Sequence, residues 1–208
     1  MSNTTRMPKA KIPEAEMAGM RMEGEFPEPA EVMWHNRAVL FSMFALGREA
    51  EKWNELAPNL KSFAAMATDA LVGCSWCLDF GYFQAHNAGL DVGKASEVPR
   101  WRQSSVFTSL ERDVMDYAEA MSETPPRVTD DLFARLLGQL GAPAMVELTA
   151  WVAFANMAAR SNIAMGITSQ GFSKDCPLPL AQPLAHHVPE RVGQRGHAAR
   201  DARVREAQ

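Results

Sequence analysis

Two cysteines three residues apart, Cys74 and Cys77 in GCSWCLDFG, are the residues of this chain whose type and spacing could do chemistry. A thiolate is both a nucleophile and an electron donor, and a C-x-x-C pair on one helical turn can close a disulfide once one sulfur is oxidised. The chemistry allowed is a reversible dithiol–disulfide couple. Gly73 carries the signature of a helix stop, so the next helix begins at or just after Cys74. The positive end of that helix lowers a thiol's pKa below its free value of about 8.5, and on this argument alone Cys74 is the better thiolate. Zinc is a competing use of such a pair, but the ordered region adds only His86 and distant His35, too few for a structural site. No metal and no other cofactor is expected. The plainest alternative is that both cysteines are small core hydrophobes.

The elements that must position the pair are helices. Val32, Met33, Val39, Leu40, Met43, Phe44 and Leu46 recur at helical spacing and predict one amphipathic helix over 31–53. Pro58 opens a second, rich in small residues, that Gly73 ends. The cysteine-bearing helix runs to about Ala88, and Asp91 caps a short one to about Val98. Thr108-Ser-Leu-Glu111 has capping-box spacing for a helix from Ser109 that Pro125 and Pro126 close. Thr129 or Asp130 caps another, stopped by Gly141, and Pro143 opens the longest, over 143–166. No segment alternates as a strand does, so the expected fold is all-α.

The proline-interrupted residues 1–30 read as a flexible or surface-wrapping arm, 31–172 as the helical domain, and 173–208 as a disordered tail. Three of the five histidines (His186, His187, His197) and Cys176 fall in the tail and are expected to be solvated. A net charge of −4 gives no basic face for nucleic acid. No uninterrupted run of about 18 apolar residues suggests a membrane span, and the first residues lack the apolar core of a secretory signal. A soluble, cytoplasmic protein is expected.

The order helix, Gly-Cys-x-x-Cys, helix, Ala-x-Gly, short acidic helix, followed by LERDVMDYAEAM, TDDLFARLL and VELTAWVAFANMAAR, resembles the carboxymuconolactone decarboxylase superfamily, in particular its alkylhydroperoxidase D (AhpD)-like branch. The resemblance spans about Met33 to Gly166 and implies an all-helical subunit, assembled as a trimer or hexamer. It also implies thiol-based peroxidase or disulfide-reductase activity that takes a hydroperoxide or disulfide as substrate and a reducing thiol protein or small thiol as partner, with no metal or flavin. Carried over by position, Cys77 is the cysteine that attacks peroxide, and Cys74 the more exposed one that resolves it.

The chain departs from that family at the proton relay: Ser62 stands where a glutamate is expected twelve residues before Cys74, and Gly81 where a histidine is expected four after Cys77. Trp76 occupies the position between the cysteines that histidine sometimes holds. Weak peroxide turnover is the consequence, since a general base must reach the proton it removes. His86 is out of phase with Cys77. Asp69 and Asp79 read as surface charge or helix caps, with a catalytic base as the alternative. Gly81 and Gln84 share the face of Cys77, and the missing imidazole leaves space that a substrate or water could fill. Glu147 and Arg160 read as structural ion-pairing or hydrogen-bonding groups on the long helix, and the five tryptophans as core or subunit-contact residues. A lyase of the decarboxylase branch and a non-catalytic oligomeric redox-sensing or binding module are the rival functions.

Overall fold

Prolines and glycines set where the helices begin and end. The computed structural model describes residues 5–17, 20–21 and 25–174, so the expectations for Cys176 and the tail histidines lie outside the described residues. The helices are α1 (Glu14–Met17), α2 (Glu28–Met33), α3 (Arg37–Ala50), α4 (Pro58–Val72), α5 (Ser75–Asn87), α6 (Val92–Glu97), α7 (Ser109–Ser122) and α8 (Asp130–Met165). Among the described residues there is no β-strand, and the fold is all-α.

One boundary differs from the sequence expectation. The helix expected over 31–53 is divided at Asn36, whose extended backbone ends a turn of 3-10 helix and whose side-chain oxygen caps the Val39 N–H. The apolar stripe continues across this break, which is why periodicity did not register it. The expected stop at Gly141 is present: its φ of 77° and ψ of 167° are non-helical and divide the span α8 into two helical stretches at a kink. Pro143 then lies in the first turn after the break, where its missing N–H costs nothing.

Helix α4 lies at the centre, packed against α7, α8 and α5. Phe63, Met66 and Ala67 from α4 meet Val114 and Met115 from α7 and Leu148 and Val152 from α8 in one buried cluster. Thr108 and Glu111 form the expected capping box at the start of α7. A buried staple joins α4 to α8: Lys61 Nζ lies 3.0 Å from Glu147 Oε1, while Glu147 Oε2 accepts from the N–H groups of Glu55 and Leu56 at 2.6 and 3.1 Å. Lys61 also donates to the carbonyls of Ala50 and Trp53. Glu147 therefore pairs with Lys61; Arg160 instead donates to Asn156 Oδ1 and the Ser122 carbonyl.

A second apolar cluster, Phe26, Ala30, Trp34 and Leu40 with Ile12 and Met17 against it, lays the N-terminal segment along α2 and α3. Lys9 ties it down through Glu28 and Glu31, at 3.0 and 2.6 Å. The centre of α8 is apolar and long enough to cross a membrane by composition, but the helix packs on α4 and α7 as a core element.

Candidate active site

The cysteine pair is placed by the turn between α4 and α5. Gly73 takes the left-handed conformation (φ 81°) that ends α4, and the N–H groups of Gly73 and Cys74 both donate to the Asp69 carbonyl at 3.0 and 2.9 Å. This puts Cys74 at the N-cap of α5, where its sulfur accepts from the Cys77 N–H at 3.2 Å. The two sulfurs are bonded to each other, with Cα atoms 5.3 Å apart. Val72, Trp76, Ala159 and Ile163 enclose them. Cys74 is 1% exposed and Cys77 9%, so the family expectation of a more exposed Cys74 does not hold in this bonded subunit. The capping geometry turns the Cys74 sulfur inward over the first turn of α5.

One residue at the pair escaped the sequence reading. Asn162 of α8, only 3% exposed, directs Nδ2 to Cys77 Sγ at 3.4 Å and to Cys74 Sγ at 4.0 Å. Among the described residues its Oδ1 is buried with no hydrogen-bond partner. A lone amide inside the apolar run NIAMG was the available signal, but nothing in the spacing related it to cysteines far earlier in the chain.

Asp79 is neither surface charge nor helix cap; the structure corrects that reading. Its carboxylate is buried and collects the segment that follows α8. Oδ2 accepts from Ser169 Oγ at 2.8 Å and from the N–H groups of Gln170, Gly171 and Phe172 at 3.1, 2.7 and 3.1 Å. Oδ1 accepts from Ser173 N–H at 2.9 Å and Ser173 Oγ at 2.5 Å. Burial opposes ionisation here, but the hydrogen bonds from Ser173, Ser169 and Phe172 together outweigh it and lower the pKa. The strap so formed covers Trp76: Gln170 Oε1 accepts from Trp76 Nε1 at 2.7 Å, and Phe172 packs among Trp76, Phe80 and Phe83. Trp76 thereby becomes part of the cover over the disulfide.

Asp69 also proves buried rather than superficial. It lies on the α4 face shared by Ser62 and Met66, which turns toward α5. Among the described residues its carboxyl receives no hydrogen bond, and burial alone raises its pKa well above the usual carboxylate range. Met66 narrows the space expected at Gly81, since a Cβ there would meet its Cγ at 3.1 Å, but Gly81 and Gln84 still line an open cleft. Ser62 Oγ faces the same methionine, 3.7 Å from its sulfur. Met66 thus lies between Ser62 and Gly81, the two positions of the family relay. His86 and Gln84 are exposed, and His35 bonds to the Pro8 carbonyl, so none of the three reaches a sulfur.

Two clefts lie on either side. One of about 490 Å³ is lined by Leu71, Val72, Ser122, Arg160 and Ile163 among others, and shares Val72 and Ile163 with the shell of the disulfide. The other, about 480 Å³, is bounded by Trp53, Lys61, Ser62, Gly81 and Trp151. Among the described residues no three histidine, cysteine or carboxylate side chains converge as a metal site would require.

Residues 38–120 match the model of the carboxymuconolactone decarboxylase family. The chain is also 35% identical over 163 residues to the uncharacterized protein YnjA of Escherichia coli strain K12, covering 76% of this chain and 86% of YnjA. The chain belongs to the carboxymuconolactone decarboxylase family. The fold is similar to that of an uncharacterized peroxidase-related protein from Ralstonia eutropha JMP134, an alkylhydroperoxidase AhpD core, at TM-score 0.69 and 16% identity over 83% of this chain and 96% of that one. The debrominase Bmp8 has the same fold at TM-score 0.70 and 20% identity, covering 84% of this chain and 95% of Bmp8, and is known with 2,3,4-tribromopyrrole bound to a cysteine-to-alanine variant. Proteins named for more than one chemistry thus share this helical fold. A cysteine pair at disulfide distance at the start of α5 is what this member brings to it.

Proposed function

We propose that the chain is a thiol-dependent oxidoreductase that cycles Cys74 and Cys77 between dithiol and disulfide. The observation that carries this reading is the bonded pair itself, seated at a helix N-terminus and contacted by an amide donor. With a hydroperoxide as oxidant, the Cys77 thiolate attacks the terminal oxygen and the O–O bond breaks. The sulfur is oxidised to a sulfenate, and the hydroperoxide proton goes to the leaving oxygen, which departs as an alcohol. After the sulfenate takes up a proton, the Cys74 thiol displaces it as water and the disulfide closes. A reducing thiol protein or small thiol then restores both thiols through a mixed disulfide, in a compartment such as the cytoplasm that supplies reductant. With a disulfide as oxidant the same exchange runs in reverse and needs no O–O cleavage. Ser62, Met66 and Gly81 in place of the relay favour exchange over rapid peroxide turnover.

Self-association into a trimer or hexamer belongs to the same reading. Val39, Phe41 and Leu46 on α3 and Leu137, Val146 and Met157 on α8 are exposed apolar side chains of the kind a second copy would cover. Light scattering with sedimentation tests this, a monomer at micromolar concentration being the contrary outcome.

A second reading draws on the cleft of about 490 Å³ beside the pair. There the dithiol reduces a halogenated heteroaromatic: a C–halogen bond becomes C–H, the two thiols become the disulfide, and halide and a proton leave. Adding a stoichiometric hydroperoxide, or separately a bromopyrrole, to reduced protein and mapping the thiols by mass tells the readings apart. Rapid formation of the Cys74–Cys77 disulfide with hydroperoxide, reversed by a thiol reductant and lost in Cys77→Ser, is expected. Bromide release coupled to disulfide formation would favour the second reading, and thiols left unmodified by either would overturn both.

A further inference from the structure

Asn162 presents a donor to the sulfur of Cys77 and leaves its own oxygen buried without a partner among the described residues. An unpaired buried acceptor is costly, so an amide held this way is poorly explained by packing alone. A disulfide sulfur is also a weak acceptor, whereas a thiolate accepts an N–H strongly. The contact therefore has little to offer the oxidised pair and much to offer the reduced one. In the thiol state the same side chain has a free acceptor, Oδ1, for the S–H proton.

The backbone alone points the other way. Cys74 sits at the N-cap and receives the Cys77 N–H at 3.2 Å, which favours Cys74 as the thiolate. The Asn162 amide is nearer to Cys77 Sγ than to Cys74 Sγ, at 3.4 against 4.0 Å, and opposes that bias. The charged and titratable groups on the surrounding elements are otherwise engaged. Asp69 on α4 is held toward its neutral form, the charge of Asp79 on α5 is taken up by the strap, and Glu28 on α2 pairs with Lys9. Arg160 on α8 bonds to Asn156 and Ser122, and Arg6 bonds to the carbonyls of Ala164 and Met165. None of these groups donates to a sulfur.

We propose that Asn162 is a catalytic residue of the dithiol cycle, its side-chain amide stabilising the thiolate of Cys77 and so making Cys77, rather than Cys74, the attacking sulfur. This rests on the oxidoreductase reading and goes beyond it by ordering the pair and naming a group that stands in for the absent relay.

The test is the pH dependence of alkylation of each thiol in the reduced full-length protein, read by mass mapping. In the wild type Cys77 should titrate below Cys74. In Asn162→Leu, with the same branching of heavy atoms but bulkier and without a donor, the Cys77 profile should move up by about one pH unit, roughly a tenfold loss of thiolate at neutral pH. Cys74 should then become the more reactive thiol. Asn162→Ala, which adds no volume, repeats the measurement should the leucine variant not fold, with far-UV circular dichroism as the check. A Cys77 profile that does not move in the folded variant, or a wild type in which Cys74 titrates lower, overturns the assignment. Disulfide formation by the wild type with hydroperoxide is scored separately: its absence overturns the oxidoreductase reading, while its presence alongside unmoved profiles overturns the role of Asn162 alone.

Discussion

Two aspartates flank the cysteine pair, and the fold treats them in opposite ways. Asp69 lies five residues before Cys74 and Asp79 two after Cys77. They are comparably buried, at 6% and 3% exposure. Asp79 receives hydrogen bonds from the strap at both oxygens and is held toward the carboxylate; Asp69 receives none among the described residues and is pushed toward the acid. The depth of desolvation and the donors that surround a carboxyl together decide its charge: Asp69 lies deep without donors, while Asp79 meets several. The difference bears on the thiols, because a free carboxylate beside a sulfur would disfavour its ionisation. On the α4 side the charge is suppressed, and on the α5 side it is absorbed by loop N–H groups.

The largest expected effect tests whether donors and counter-charge govern buried carboxylates throughout the molecule. Lys61→Met leaves Glu147 buried beside two N–H groups but without its cation, and should cost about 3–5 kcal/mol in urea unfolding. A cost near zero would mean that the Glu55 and Leu56 N–H groups suffice alone. Next comes Asp79→Ala, which strands the strap donors and should cost about 3 kcal/mol. It should also expose 169–173 to proteolysis and speed alkylation of the reduced cysteines. Asp79→Asn retains one acceptor oxygen and should cost about half as much.

Smaller effects separate the two aspartates by pH. The folded pKa of Asp79 is lowered, so its stabilisation is present above the unfolded value of about 3.9 and is lost as pH falls through the folded one. The gap between wild type and Asp79→Asn should accordingly shrink in acid. Asp69 has the opposite sign: with a raised folded pKa, its contribution is fully present below about pH 3.9 and is lost as pH rises toward the folded value. Asp69→Asn should match the wild type in acid and become the more stable protein toward neutrality. Thermal melts of both asparagine variants across pH 3–8 measure this, and curves of the same sign would break the contrast.

Much of the scaffold was legible because its signals are local. The Thr108–Glu111 capping box, the stop at Gly73 and the Asp91 cap each depend on residues within a turn of one another, and each appears as read. The break at Asn36 was hidden beneath an apolar stripe that continues across it. Asp69 and Asp79 read as superficial because a charged side chain in a helix is usually solvated, and the sequence around Asp79 does not show that serines and N–H groups some ninety residues later will come to it. The space expected at Gly81 was reasoned along one helix, whereas the methionine that narrows it belongs to another.

By itself the sequence determined the helical class, the family likeness and the seating of Cys74 and Cys77 at a helix start, because capping, periodicity and C-x-x-C spacing act over a few residues. Only the tertiary structure decided the surroundings of the pair: the Asn162 amide, the Asp79 strap and the neutral tendency of Asp69. Those depend on desolvation and on donors brought together from distant segments, and both come into being only when the helices pack.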